Sequence, residues 1–250
     1  MRILALDIGN SRATIGVFED DELVAREDVS SKDFVPELIH SFRADLTVIS
    51  CVSAAHRTTV EALLSSNHAV QLCASHSPVD LHYDYPERLG ADRIANVIAA
   101  RQISPGGAVV VDLGTATHFD ICGADGSFYG GPILPGLATM TSLLTARIPH
   151  LPQVGISADV LGECSPVVSR TEHGIQTGCI YGTAGAVERI CSEITRQMGP
   201  LPVILTGGNA RVIAPIVRHD VCDPDLTLRG LYLFGADFQK NCQCMGESTE

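Results

Sequence analysis

Leu4-Ala5-Leu6-Asp7-Ile8-Gly9-Asn10-Ser11 carries an apolar strand into a carboxylate, a glycine and two small polar residues, and residues 13–18 then read as a second strand. The pattern predicts a β-hairpin whose tight turn sets backbone N–H groups and small side chains against an anion. Gly9 has no Cβ, so the backbone there can approach a phosphate closely. Asp7, at the strand end, is placed to hold a hydrated metal ion. An ordinary Asx-type turn with an exposed Asp would read the same way on this stretch alone. The difference comes from a second copy, Val110-Val111-Asp112-Leu113-Gly114-Thr115-Ala116-Thr117, which repeats the apolar strand, Asp, aliphatic, Gly and small polar residues. Each copy runs on into another strand (residues 13–18 and 118–122) and then a polar turn, Glu19-Asp20-Asp21 or Gly123-Ala124-Asp125-Gly126. Two copies are too few for a solenoid. They suit a duplicated, two-lobed α/β fold with a nucleotide cleft between the lobes.

The two turns resemble those of the actin, hexokinase and acetate kinase superfamily, which implies an actin-like (ribonuclease H-like) ATPase fold. The composition agrees with this. A chain of 250 residues that is 45% hydrophobic and 18% charged can build one large domain or two small lobes. Tryptophan is absent, and a net charge of -12 repels phosphate backbones at long range, so no nucleic-acid partner is expected. MgATP is not excluded by that charge, because local backbone dipoles hold it. The nine cysteines are odd in number and form no C-x-x-C pair. They are therefore no disulfide framework or zinc site, and most, such as Cys51, Cys122 and Cys191, read as buried reduced thiols in a cytoplasmic protein. No signal peptide is expected, since the first residues run directly into a strand without a basic region and an apolar core, and no membrane partner, since no apolar run approaches the length of a bilayer span.

Along the chain, residues 23–25 add a third strand, and Ser31 is expected to cap a helix carrying Phe34, Leu38, Ile39 and Phe42. A strand at 46–52, a helix at 58–65 and a strand at 69–73 continue the α/β alternation. A loop with Tyr83 and Tyr85 leads to Gly90-Ala91-Asp92-Arg93, where a helix begins with Ile94, Val97 and Ile98 on its buried face. Asp92 and Arg93 then lie at an anion-friendly helix start. For an isolated Asp-Arg a helix-dipole carboxylate and a surface ion pair would be the plainer reading; with two tyrosines and a glycine in the loop before them, the segment reads as a small-molecule site. Ser104-Pro105-Gly106-Gly107 marks the lobe boundary. Gly130-Gly131-Pro132-Ile133-Leu134-Pro135-Gly136 is either a structural bend or a surface on which a flat nucleotide lies, ahead of a helix with Leu137, Met140 and Leu144. A long helix follows Thr171 with a stripe of Ile180, Ala184, Val187, Cys191, Ile194 and Met198, read as a core face or a dimer seam. Residues 203–205 lead into the glycine turn Thr206-Gly207-Gly208-Asn209, and a last helix covers residues 226–238. The expected division is residues 1–103 as one α/β lobe, 104–238 as the second, and 239–250 as a disordered tail exposing Cys242 and Cys244.

Taken in series, Asp7 to Ser11, Gly90 to Arg93 with Tyr83 upstream, Asp112 to Ala116, Gly130 to Gly136, and Thr171 seven residues before Gly178 resemble the signatures of the type III pantothenate kinases. The resemblance covers residues 7 to about 208. It implies ATP-dependent phosphorylation of pantothenate to 4'-phosphopantothenate, the first step of coenzyme A synthesis, by a homodimer. It implies that Asp7, Ile8, Gly9, Asn10, Ser11, Arg12, Ala13 and Thr14 cradle ATP phosphates and magnesium, and that Thr115 contacts ATP. Tyr83, Gly90, Ala91, Asp92, Arg93 and Thr171 would hold pantothenate, with Asp92 taking the proton of its hydroxyl. Asp112 would bind a monovalent cation, potassium or ammonium. His118 departs from the family pattern, which often has threonine there, and reads as a core or strand-surface histidine. Two other functions fit the fold: a kinase of the same superfamily acting on another small molecule, and a non-catalytic regulator. Retention of Asp7, Asp92 and Asp112 together argues against the regulator.

Overall fold

The computed structural model describes residues 1–66 and 68–246 and divides into two compact units. Residues 1–103, 126–128 and 225–250 form the first, and residues 104–125 and 129–224 the second.

In the first unit β1 (Arg2–Ile8) lies at the centre of a five-stranded sheet. It pairs antiparallel with β2 (Arg12–Glu19), which pairs with β3 (Glu22–Ser30), and parallel with β4 (Leu46–Cys51), which pairs with β5 (Ala69–Gln71). The order is β3-β2-β1-β4-β5. Central β1 is apolar and buried from residue 3 to residue 6, because both of its faces are covered there. Edge strand β3 is mostly exposed. One face packs Leu4, Leu6, Ile15 and Val17 against Phe34, Ile39 and Val60, from the segment holding α1 (Glu37–His40) and from α2 (Arg57–Leu64). The helix expected from Ser31 is only a 3-10 turn (Ser31–Asp33) followed by the short α1. Ser31 caps nothing there, because its hydroxyl donates instead to the Gly9 carbonyl at 2.9 Å.

Helix α3 (Ala91–Ile103) buries Ile94, Val97 and Ile98 as expected, and also Ala95, Asn96, Ala99 and Ala100. Residues 93–100 are enclosed all round because the last helix of the chain, introduced below as α7, lies along α3.

The second unit repeats the topology. β6 (Ala108–Leu113) is central; β7 (Ala116–Cys122) and β8 (Ile133–Pro135) follow antiparallel, and β9 (Val203–Thr206) and β10 (Val221–Cys222) run parallel to β6. The order β10-β9-β6-β7-β8 is the first sheet read from its other edge. Helix α4 (Leu137–Arg147), the long α5 (Thr171–Met198) and α6 (Ala210–Ile213) complete the unit. In α5, Ile180, Ala184, Val187 and Ile194 are buried in the unit's own core beside Val109, Val111 and Phe119. That stripe is therefore a core face, and the dimer-seam alternative does not hold for it. Gly199, at φ 85°, ends the helix.

The last helix, α7 (Leu226–Gly246), belongs to the first unit, although its place in the chain put it with the second lobe. It packs on α3, β1 and β4. The expected disordered tail is helical through Gly246; the side chains of Cys242 and Cys244 and residues 247–250 lie outside the described residues.

Candidate active site

The β1–β2 turn is tied down through its carbonyl groups. Gly9 N–H donates to Arg12 O at 2.9 Å, Val52 N–H to Ile8 O at 3.1 Å, Ser31 N–H to Ser11 O at 3.1 Å and the Ser31 hydroxyl to Gly9 O. His56 Nε2 lies 3.0 Å from the same hydroxyl. Carbonyl dipoles so engaged do not repel an anion, and residues 10–12 stand exposed. Ser31 and His56 thus position the turn, and neither was legible as doing so, since each is remote from it in sequence. Ile8 and Ala13 are fully buried and bring only backbone to the turn. The Thr14 hydroxyl donates to Asp28 at 2.9 Å, and the Arg12 guanidinium lies 3.8 Å from Asp28.

In the second unit Gly114 N–H donates to Ala116 O at 3.0 Å, the counterpart of the Gly9 bond. Asn209 holds this turn from the β9 side, its N–H on Leu113 O at 2.9 Å and its Nδ2 on Gly114 O at 3.4 Å. Thr115 O accepts from Gly136 N–H at 3.0 Å and from the Thr139 hydroxyl at 2.7 Å. The segment read as a glycine-rich loop is in part strand β8, with Pro135 opposite Ala116 and Leu134 opposite Thr117.

The two units agree in a further detail. Asp7 is in register with Ser50 on the parallel strand β4, and Asp112 with Thr206 on β9. Both hydroxyls are buried and make no hydrogen bond among the described residues. Each unit therefore sets a carboxylate at the end of its central strand beside a buried hydroxyl, an all-oxygen donor pair suited to a hard cation. Among the described residues no cluster of three or more His, Cys, Asp or Glu could cage a metal. A magnesium ion at Asp7 would therefore complete its shell with water and phosphate oxygens, which suits its reluctance to dehydrate. At Asp112 the surroundings are tighter. Gly207, at φ 87°, would place a Cβ 2.4 Å from Asp112 Oδ1, so only glycine fits. On the other side, His118 Nε2 lies 3.6 Å from Asp112 Oδ2, and His118 Nδ1 lies 3.2 Å from Asp120 Oδ2. Asp120 is fully buried. Sequence reading missed it, although His118 and Asp120 alternate on one strand face. The oxygen donors fit a monovalent cation at Asp112, with an imidazole taking one flank.

The segment from Tyr83 to Arg93 is organised by Phe128, a residue the sequence did not single out. Phe128 is fully buried, and its backbone joins the segment through Phe128 N–H to Asp80 O at 2.8 Å and His82 N–H to Phe128 O at 2.9 Å. Its ring stands 6.0 Å edge-on from Tyr83 and 5.3 Å from the guanidinium of Arg93, which is itself buried. One aromatic ring therefore fixes two of the expected substrate residues. Asp92 is half-buried at the start of α3, its Oδ1 accepting Arg93 N–H at 2.8 Å. A Cβ on Gly90 would lie 2.3 Å from that oxygen, so glycine is needed for the carboxylate to fold back over the helix start. Ala91 is buried and supplies backbone only. Thr171 is carried by the second unit as the exposed first residue of α5. With Gly178, Met140 and Leu144 it lines a groove of about 670 Å³.

The family model for type III pantothenate kinase matches residues 3–193. A type III pantothenate kinase of Dehalococcoides mccartyi is 32% identical over 250 residues, covering 92% of this chain and 95% of the relative. One from Acidothermus cellulolyticus is 34% identical, covering 96% and 98%. Among solved structures, a Campylobacter jejuni protein described as a conserved Baf family transcriptional activator superposes with a TM-score of 0.65 at 23% identity, over 95% of this chain and 99% of that one. Component A of the Acidaminococcus fermentans (R)-2-hydroxyglutaryl-CoA dehydratase does so with 0.55 at 14% identity, over 94% and 98%. At those identities the superpositions speak for the fold alone. With five motifs in order, two duplicated strand-end carboxylates and a family match across most of its length, the chain belongs to the type III pantothenate kinase family.

Proposed function

We propose that this protein transfers the γ-phosphoryl group of ATP to the primary hydroxyl of pantothenate. The observation that carries the reading beyond family membership is the Asp92 site, a half-buried carboxylate next to the buried Arg93, whose guanidinium shares the Phe128 ring with the exposed Tyr83. Phosphoryl transfer through a loose transition state asks mainly for positioning and charge stabilisation. Asp92 accepts the pantothenate hydroxyl proton late in the transfer, so it need not be a strong base. Arg93, Tyr83, Gly90 and Ala91 hold pantothenate, and Thr171 of α5 adds a contact. The residues 7–14 turn receives the ATP phosphates on its N–H side, and Thr115 touches the nucleotide.

Asp7 with Ser50 would hold magnesium together with water, and Asp112 with Thr206 would hold potassium or ammonium. Bound there, the cations supply positive charge that offsets the phosphates. A homodimer is part of this reading. With the apolar stripe of α5 in the core, the partner would face its other side, where Gly178, Gly182 and Gly185 have open space around them and Tyr181 is exposed. The setting is cytoplasmic; among the described residues no helix is long and apolar enough to cross a membrane.

The test is ADP release coupled to a reporter, with ATP, magnesium and pantothenate, in potassium buffer and then in sodium buffer. Release that depends on pantothenate supports the function, and loss of rate in sodium supports the cation. Absence of both from folded protein overturns the reading.

A further inference from the structure

The carbonyl groups of the β1–β2 turn are held by two kinds of donor. Backbone N–H groups of Val52, Ser31 and Gly9 take the carbonyls of Ile8, Ser11 and Arg12 in turn. The Gly9 carbonyl is held by a side chain, the Ser31 hydroxyl at 2.9 Å. A hydroxyl has one proton and a carbonyl oxygen only accepts, so that proton points at Gly9. The lone pairs of Ser31 Oγ are then left to accept from His56 Nε2, which lies 3.0 Å away. Nε2 therefore carries a hydrogen, and the chain of bonds has one direction, from His56 to Ser31 to Gly9. Ser31 is buried, so water is poorly placed to replace the imidazole. The ring is itself anchored. His56 closes the 3-10 turn Ala54–His56 at the head of α2 and stands edge-on to the buried Phe34, with ring centroids 5.8 Å apart. Val52 belongs to the same connection, so the segment between β4 and α2 grips the successive carbonyls of Ile8 and Gly9.

We infer that His56 is a positioning residue for the nucleotide phosphates and acts on them through Ser31. The two bonds in series hold the Gly9 carbonyl toward the protein, so that an anion at the turn meets N–H groups rather than oxygen lone pairs. Loss of the His56 donor removes the partner that fixes the Ser31 hydroxyl, which can then turn away from Gly9. A carbonyl dipole released beside a phosphate repels it. The effect falls on the nucleotide and leaves the acceptor alone, because Tyr83 and Gly90–Arg93 are held separately by Phe128. The inference rests on the ATP half of the proposed function and does not need the pantothenate half.

The experiment sets two variants of the full-length protein against each other. His56→Phe keeps a ring against Phe34 and has no donor, whereas His56→Gln gives up the ring and extends an amide N–H to about the reach of Nε2. MgATP binding is measured by calorimetry without acceptor, and KM for each substrate by ADP release. His56→Phe is expected to weaken MgATP about fivefold and to raise KM for ATP to match, with KM for pantothenate unchanged. His56→Gln is expected to recover most of that loss. Wild-type affinity in His56→Phe, or a loss in His56→Gln as large as in His56→Phe, would overturn the inference, the second result assigning His56 to packing. Nuclear magnetic resonance of the wild type reads the same point without a variant that must fold well. Long-range proton–nitrogen correlations are expected to show a proton on His56 Nε2, and a ring protonated on Nδ1 alone would overturn the relay. Wild-type protein that fails to bind MgATP would overturn both this inference and the kinase reading. Protein whose variants bind MgATP as expected but which never turns over pantothenate would count against the kinase reading and support the relay.

Discussion

At Asp92 the carboxylate Oδ1 accepts the Arg93 N–H, which fixes the direction of a half-buried side chain. Asp92→Asn retains that hydrogen bond, because the amide oxygen still accepts, but it cannot take a proton. Turnover is expected to fall by about 10²-fold or more while ATP binding by calorimetry and the melting curve stay as they were. A near-normal kcat would remove Asp92 from the mechanism. His118 offers a second test at this scale. Its imidazole flanks Asp112, where an oxygen donor would suit a hard cation better. His118→Thr is expected to lower severalfold the potassium concentration for half-maximal rate, measured by titrating potassium into sodium buffer. An unchanged potassium response would separate His118 from the cation. These residues differ in how far sequence could read them. The aspartates were legible because motif spacing marks them. Phe128, Ser31, His56 and Asp120 were not, since each acts on a site through a contact distant in sequence or across strands.

Among the elements, α3 and α7 cross closely enough that a Cβ on Gly230 would lie 1.9 Å from the Ala95 carbonyl oxygen. A hydrogen bond of 2.8 Å from the Thr227 hydroxyl to Asn96 Oδ1 spans the same contact. Gly230→Ala must push the helices apart and is expected to cost about 1–3 kcal/mol. That lowers the melting temperature by several degrees in calorimetry. Further along α7, Tyr232 stacks on Phe18 at 4.7 Å and donates to Asp21 at 2.5 Å, in the β2–β3 turn. Desolvation first, and the Asp21 carboxylate second, push its phenol up from 10 to about 12. The protonated phenol is the form the fold favours. Its contribution is therefore complete below pH 10 and is lost as the pH rises through about 12. Urea unfolding at about pH 9 and about pH 11 should show a steeper loss of stability for the wild type than for Tyr232→Phe. Parallel slopes would show that Tyr232 does not contribute.

For the whole molecule, the C-terminal helix belongs with the N-terminal half of the chain. A chain ending at Pro224 keeps every strand of both sheets but uncovers α3, β1 and β4, and it is expected to be insoluble or to unfold on purification. A soluble, cooperatively melting truncation would contradict that account of the first unit's core. The sequence by itself determined the strand–Asp–x–Gly turns, their duplication, the central strands and the family motifs. All of these are set by local chemistry: apolar runs that must be buried, glycines where backbone closes up, and carboxylates at strand ends. Tertiary structure alone decided that α7 returns to the first unit, that the stripe on α5 is core, that Ser31 holds the β1–β2 turn instead of capping a helix, and that Phe128 sets Tyr83 and Arg93. The physical reason is the same in each case. Periodicity shows that a face must be covered and a polar group satisfied, but the partner that does so is fixed by which distant segment arrives there when the chain packs.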